Sequence, residues 1–133
     1  MADCCNKPQG AKADCACSGD NVLIFACSGG SNVGQLTNEA AKKLDQEGLG
    51  KFFCLAGIGG DIETMKVNAA GADRIIALDG CGVACAKMTL ERAGLPISCY
   101  LVVTDEGVEK GHHFEMSCDE IDGICGRVRE LLA

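Results

Sequence analysis

Tryptophan is absent, tyrosine occurs once, phenylalanine four times and proline twice. With so few large rings, Val, Ile, Leu, Ala and Cys must fill the interior. Tight turns and close backbone approaches then rest on glycine, of which there are 18. Clustered positive charge is missing as well. Twelve Lys and Arg stand against 19 Asp and Glu, for a formal net charge of -7, and no basic run occurs. That argues against a nucleic-acid partner, because phosphate binding depends on grouped Lys and Arg. No apolar stretch approaches the roughly 18 residues that a membrane span requires, so no membrane partner is expected. The N-terminal run Met1-Ala2-Asp3-Cys4-Cys5 has neither the basic nor the apolar region of a signal peptide, and the expected location is the cytoplasm.

Cysteine is present in excess: 11 in 133 residues. In a small secreted chain this would suggest a disulfide framework. Here the expected compartment is reducing, the count is odd, and a chain of this length can bury an adequate apolar core. Metal binding or thiol chemistry is the better explanation, with some cysteines serving as small buried hydrophobes.

Residues 1–20 read as a cysteine-rich tail carrying Cys4, Cys5, Cys15 and Cys17, without apolar periodicity. Residues 21–133 read as one α/β domain. Residues 22–27 form a short unbroken apolar run, the pattern of a strand buried on both faces. Residues 32–47 carry Val33, Leu36, Ala40 and Leu44 at helical spacing and end at Gly48. Further strands are expected at 51–56, 74–78 and 98–104, and helices at 62–70, 83–93 and 118–132. Strand and helix thus alternate four times. The expected fold is three-layered, a four-stranded, mainly parallel sheet with helices on both faces, Rossmann-like or flavodoxin-like. Ligands of such sheets sit outside the carboxyl ends of the strands, in the strand-to-helix loops.

Those loops hold the candidate site. Cys81 closes the third strand's loop and Cys85 follows four residues later. If both lie in the first turn of a helix, their sulfurs share one side, and the helix N-terminus favours the thiolate. Two thiolates there would chelate zinc or another soft cation; the bland alternative is that Cys85 packs on the sheet. Cys27 ends the first strand. If strands one and three are neighbours, it faces Cys81 and supplies a third thiolate. Cys54, near the end of the second strand, is equally a fourth ligand or core filling. Cys99 lies at the wrong edge of the sheet and is expected in the core. Cys118 and Cys125 share a helical face and read as packing residues, though Cys118 could lie within reach of the loops. His112 and His113 could ligate a metal or simply be solvated. The tail thiols could hold a second metal or fold over the first.

At Asp79-Gly80-Cys81 the chain resembles the DGC-domain family, described as zinc-binding proteins. The likeness extends over Cys27-Ser28-Gly29, Ser31-Asn32-Val33-Gly34-Gln35-Leu36, Ala56-Gly57-Ile58-Gly59-Gly60-Asp61, Cys85-Ala86-Lys87 and Val103-Thr104-Asp105. The resemblance implies a compact α/β fold and zinc held by Cys27, Cys81 and Cys85, with Cys54 next. It implies no particular reaction. A thiol-based redox or sulfur-transfer enzyme using Cys81 and Cys85, or Cys27, is the second reading. A thiol-phosphatase reading fails, since Val33 occupies the position where such enzymes place an Arg. Anion binding by Ser28-Gly29-Gly30-Ser31 is the third, without a GxGxxG or Walker pattern to support it.

Overall fold

The computed structural model describes residues 20–133, so expectations about Cys4, Cys5, Cys15 and Cys17 lie outside the described residues. The elements are β1 (Val22–Ala26), α1 (Asn32–Gln46), β2 (Lys51–Phe52), α2 (Leu55–Gly59), α3 (Glu63–Ala70), β3 (Arg74–Asp79), α4 (Cys85–Arg92), β4 (Cys99–Val102) and α5 (Cys118–Leu132). A short 3₁₀ turn, Val103–Glu106, follows β4.

The four strands form one sheet in the order β2-β1-β3-β4, and every neighbouring pair is parallel. Alternation along the strands sorts the interior into two cores. Val22, Ile24 and Ala26 point towards α1 and α5, where Leu36, Leu44, Ile124 and Val128 meet them. Leu23 and Phe25 point the other way, towards Ile58 of α2, Ala69 of α3 and Leu90 of α4. This is the three-layer α/β arrangement expected from the strand–helix alternation. Cys99 and Cys125 are buried in the first core, as expected of them. Among the described residues, no helix is long and apolar enough to cross a membrane.

Three local expectations need correction. The second strand stops at Phe52, not at residue 56. Phe53 N–H still donates to Ile24 C=O at 2.9 Å, but the chain then turns, and Cys54 becomes the N-cap of α2. A short apolar run such as 52–55 has no period that separates a strand from a helix. The fourth strand ends at Val102, because the 3₁₀ turn takes over. Helix α4 begins at Cys85 rather than Val83, because Ala84 is in the left-handed region at φ +61.

The order places a topological switch point between β1 and β3. The chain leaves the end of β1 towards β2 on one side and the end of β3 towards β4 on the other. A crevice opens where the two exits diverge.

Candidate functional site

The crevice forms from the register of β1 on β3. Ala26 pairs with Leu78, and the next residue, Cys27, donates its N–H to Leu78 C=O at 3.0 Å. Cys27 therefore stands level with Asp79, and Cys81 lies just beyond. Cys27, Cys81 and Cys85 all line one cleft of about 240 Å³, with Gly30, Asp79 and Lys110 also in its wall. The expectation that Cys27 comes into one site with Cys81 rested on these strands being neighbours, and they are.

Asp79 builds the far wall. It is 1 % exposed, yet its charge is fully partnered. One carboxylate oxygen accepts from Ala86 N–H at 2.7 Å. The other accepts from Lys87 N–H at 3.0 Å and from Tyr100 O–H at 2.8 Å. Ala84 sits at the N-cap of α4 with no side-chain acceptor, so Asp79 provides the cap from the preceding strand. The Tyr100 phenol is pushed well above its ordinary range by burial, by the hydrogen bond to Asp79 and by that carboxylate's charge.

Gly80 makes the loop fit. A Cβ there would lie 2.7 Å from Gly34 N and 2.8 Å from Val33 C, both backbone atoms at the start of α1. Gly34 is equally tight, since its Cβ would fall 2.6 Å from Gly29 O. Gly80 lets the loop after β3 touch the start of α1, and Gly34 lets the loop after β1 fold back on that same turn, so the cysteines of both loops reach one cleft.

The sulfurs have specific surroundings. Gly80 N–H donates to Cys27 Sγ at 3.4 Å, and Thr37 Oγ1 lies 3.7 Å from the same sulfur. Lys110 Nζ donates to Cys81 Sγ at 3.4 Å. Asn32, buried at the start of α1, holds the segment that carries this lysine. Its amide donates to Glu109 C=O at 2.8 Å, and its carbonyl accepts from Gly111 N–H at 2.7 Å. Cys81 and Cys85 are not on one helical face as expected, because Cys81 precedes the helix and Ala84 N–H closes a turn on Cys81 C=O at 3.1 Å. Nor is Cys85 favoured as a thiolate. Partial desolvation pushes its thiol up although the residue is exposed, and Cys27, Asp79 and Cys81 add to the effect. Two first-turn N–H groups, those of Ala86 and Lys87, are already bonded to Asp79, and the Cys85 N–H offsets the rise only in part.

Cys54 is exposed and lies in a neighbouring cavity rather than in the cleft. Core filling is therefore not its role. His112 and His113 are exposed and outside the cleft wall. The His112 ring meets Phe114, with centroids 6.2 Å apart, and His113 Nδ1 accepts from Glu115 N–H at 3.2 Å. Cys118 begins α5, half-buried. Asp79, Asn32 and Lys110 were not foreseen as site residues. Asp79 carried a signal, as the residue before the Gly-Cys turn of a strand-to-helix loop. The pairing of Asn32 with 109–111 bridges residues far apart in sequence, and local pattern does not reveal it.

Residues 23–128 match the DGC domain. The chain belongs to the DGC-domain family. It is also 34% identical over 110 residues, 83% of this chain and 84% of the relative, to the anaerobic and virulence modulator AnvM of Pseudomonas aeruginosa. No solved structure matches it. Its Asp-Gly-Cys tripeptide has a physical reading: an acid that caps α4, a glycine that admits α1, and a thiol delivered to the cleft.

Zinc is the metal expected from the sequence resemblance. The donor set suits it in kind, since three thiols enclosing a small cleft are the soft ligands zinc accepts. Their side chains are not convergent as they stand: among the described residues, no three His, Cys, Asp or Glu side chains form a metal-ligating group. Binding would require the sulfurs to rotate together.

Proposed function

We propose that this DGC-domain protein binds a thiophilic divalent metal, zinc foremost, through Cys27, Cys81 and Cys85. The observation that carries the reading is the delivery of three thiols, from two separate strand ends, to a single cleft. Each cysteine has one χ1 torsion with three staggered wells, so each sulfur can be redirected by a change of rotamer. Gly80 N–H and Lys110 remain as outer donors to the sulfurs and would offset the negative charge of a thiolate cluster. Three thiolates leave a fourth position for Cys54, a tail cysteine, water or substrate, and an open fourth position is what Lewis-acid or transfer chemistry requires. A reducing, cytoplasmic setting belongs to the same proposal, because thiolate ligands must be kept reduced.

A second reading, thiol redox or sulfur transfer, is favoured by one specific contact. The Lys110 ammonium on Cys81 Sγ is an arrangement that activates thiols as well as one that supports a metal.

Elemental analysis of the full chain, purified under reductant without added metal, separates the two. The metal reading expects about one more zinc per chain in the wild type than in a Cys81→Ser/Cys85→Ser double variant. Cys99→Ala should leave the stoichiometry unchanged, and Cys54→Ser reports whether a fourth thiolate closes the site. Equal metal content in wild type and double variant, together with one cleft thiol that alkylates far faster than the rest, would reject the metal reading in favour of the redox one.

A further inference from the structure

A second cavity, about 530 Å³, adjoins the thiol cleft at the carboxyl ends of β1 and β2, and Cys27 lines both. Its size lies in the range of small-molecule sites, roughly 300–1,000 Å³. Phe52, Phe53 and Leu55 provide an apolar wall, and no lining side chain is charged. Phe53 is held in place by the ring of Phe25, edge to face, with centroids 5.7 Å apart. Asn38 is the principal polar group. Its carbonyl accepts from Ser28 O–H at 2.9 Å, and no acceptor among the described residues takes its amide N–H groups. Two thiols, Cys27 and Cys54, complete the wall.

We propose that this cavity binds a small neutral, flat, unsaturated carbonyl compound, and that Cys27 is the nucleophile it meets. Each part of the description follows from the lining. An uncharged apolar wall strongly disfavours a buried ion. The phenylalanine rings suit a planar, polarisable body. The Asn38 amide offers donors to a carbonyl oxygen, and the thiols call for an electrophile. The Cys27 thiolate, its proton lost to solvent, adds to the β-carbon of the ligand. A C–S bond forms, and the C=C π pair moves onto the carbonyl oxygen, where the Asn38 N–H groups stabilise the enolate. The α-carbon then takes a proton from water, and no oxidant is consumed. This site shares Cys27 with the metal proposal but does not rest on it.

The test compares N-phenylmaleimide with N-(4-carboxyphenyl)maleimide on the reduced, chelator-stripped full chain, with labelling of each cysteine followed by peptide mass spectrometry. The two probes have the same electrophile and differ by one charge. The neutral probe should label Cys27 about tenfold faster or more, with a rate that saturates in probe concentration. Ala56→Phe, which fills the cavity from an exposed position on α2, should slow Cys27 labelling and spare Cys81. Asn38→Leu should also slow Cys27, and serves alone should Ala56→Phe fail to fold. Equal rates for the two probes, a rate strictly proportional to concentration, or Cys27 labelling unchanged in the folded variants would overturn the proposal. Because the protein is stripped of metal, neither result depends on whether the thiol cleft binds zinc.

Discussion

At the scale of single residues, Asp79 is the pivot of the site. A buried carboxylate is tolerable only when its charge is matched, and here two backbone N–H groups and one phenol match it. Asp79→Ala strands all three donors and uncaps α4. It should cost about 2–4 kcal/mol in urea unfolding. The milder Asp79→Asn isolates the charge. Burial, the hydrogen bond and the Asp79 charge all hold the Tyr100 phenol up. Removing the carboxylate should therefore lower its pKa while burial keeps it above the ordinary value. The chain has one tyrosine and no tryptophan, so the alkaline phenolate absorbance reports Tyr100 alone. An unchanged titration would mean that Asp79 does not partner the phenol in solution. The Cys85 thiol should fall in the same variant, as read by the pH dependence of its alkylation, because Asp79 is one of the charges that raise it.

At the scale of elements, the cleft exists because two loops pack backbone on backbone. Gly80→Ala forces a methyl to within 3 Å of Gly34 N and Val33 C. Neither atom can yield without moving α1, so the cost should be about 2–3 kcal/mol, with loss of zinc uptake if the metal reading holds. Gly30→Ala is the control. A Cβ at Gly30 meets nothing within 4 Å, so unfolding should change by less than about 0.5 kcal/mol. Asn32→Ala tests the other loop: Gly111 N–H loses its partner and should exchange with solvent markedly faster. The elements also differ in how far sequence foretold them. β1, β3, α1 and α5 were legible, being buried apolar runs or helices with apolar residues on one face, and the structure adds the Ser31 and Ser117 caps. The start of α4 was not, because it depends on left-handed backbone at Ala84 and a cap borrowed from β3. Nor was α2, since nothing in 52–56 distinguishes an edge strand from a helical turn. That Cys27 and Cys81 line one cleft was foreseeable on the condition that β1 and β3 are neighbours. The contact of Lys110 with Cys81 was not, because it depends on Asn32 gripping a distant loop.

At the scale of the whole molecule, two cores flank the sheet, and titratable thiols are built into the one beneath α1 and α5. Cys125 is fully buried there, donates to Ala40 C=O at 3.6 Å, and has its pKa pushed up by burial to about 11, from an ordinary 9.0. Cys99 is raised as well, chiefly by burial. A thiol raised on folding stays protonated in the native state while the unfolded chain ionises. Its contribution to stability is therefore complete below pH 9 and is lost as the pH climbs towards 11. The difference for Cys125 is worth at most about 3 kcal/mol. Net negative charge adds self-repulsion in the same direction and applies equally to variants. Comparison with Cys125→Ala isolates the thiol. The variant should start less stable, because a sulfur is missing from a packed core, yet lose less stability between pH 8 and pH 11 than the wild type. Urea midpoints across that range provide the measurement. Curves that run parallel would show that Cys125 ionises as readily in the folded chain as in the unfolded one, and would contradict its place in the core.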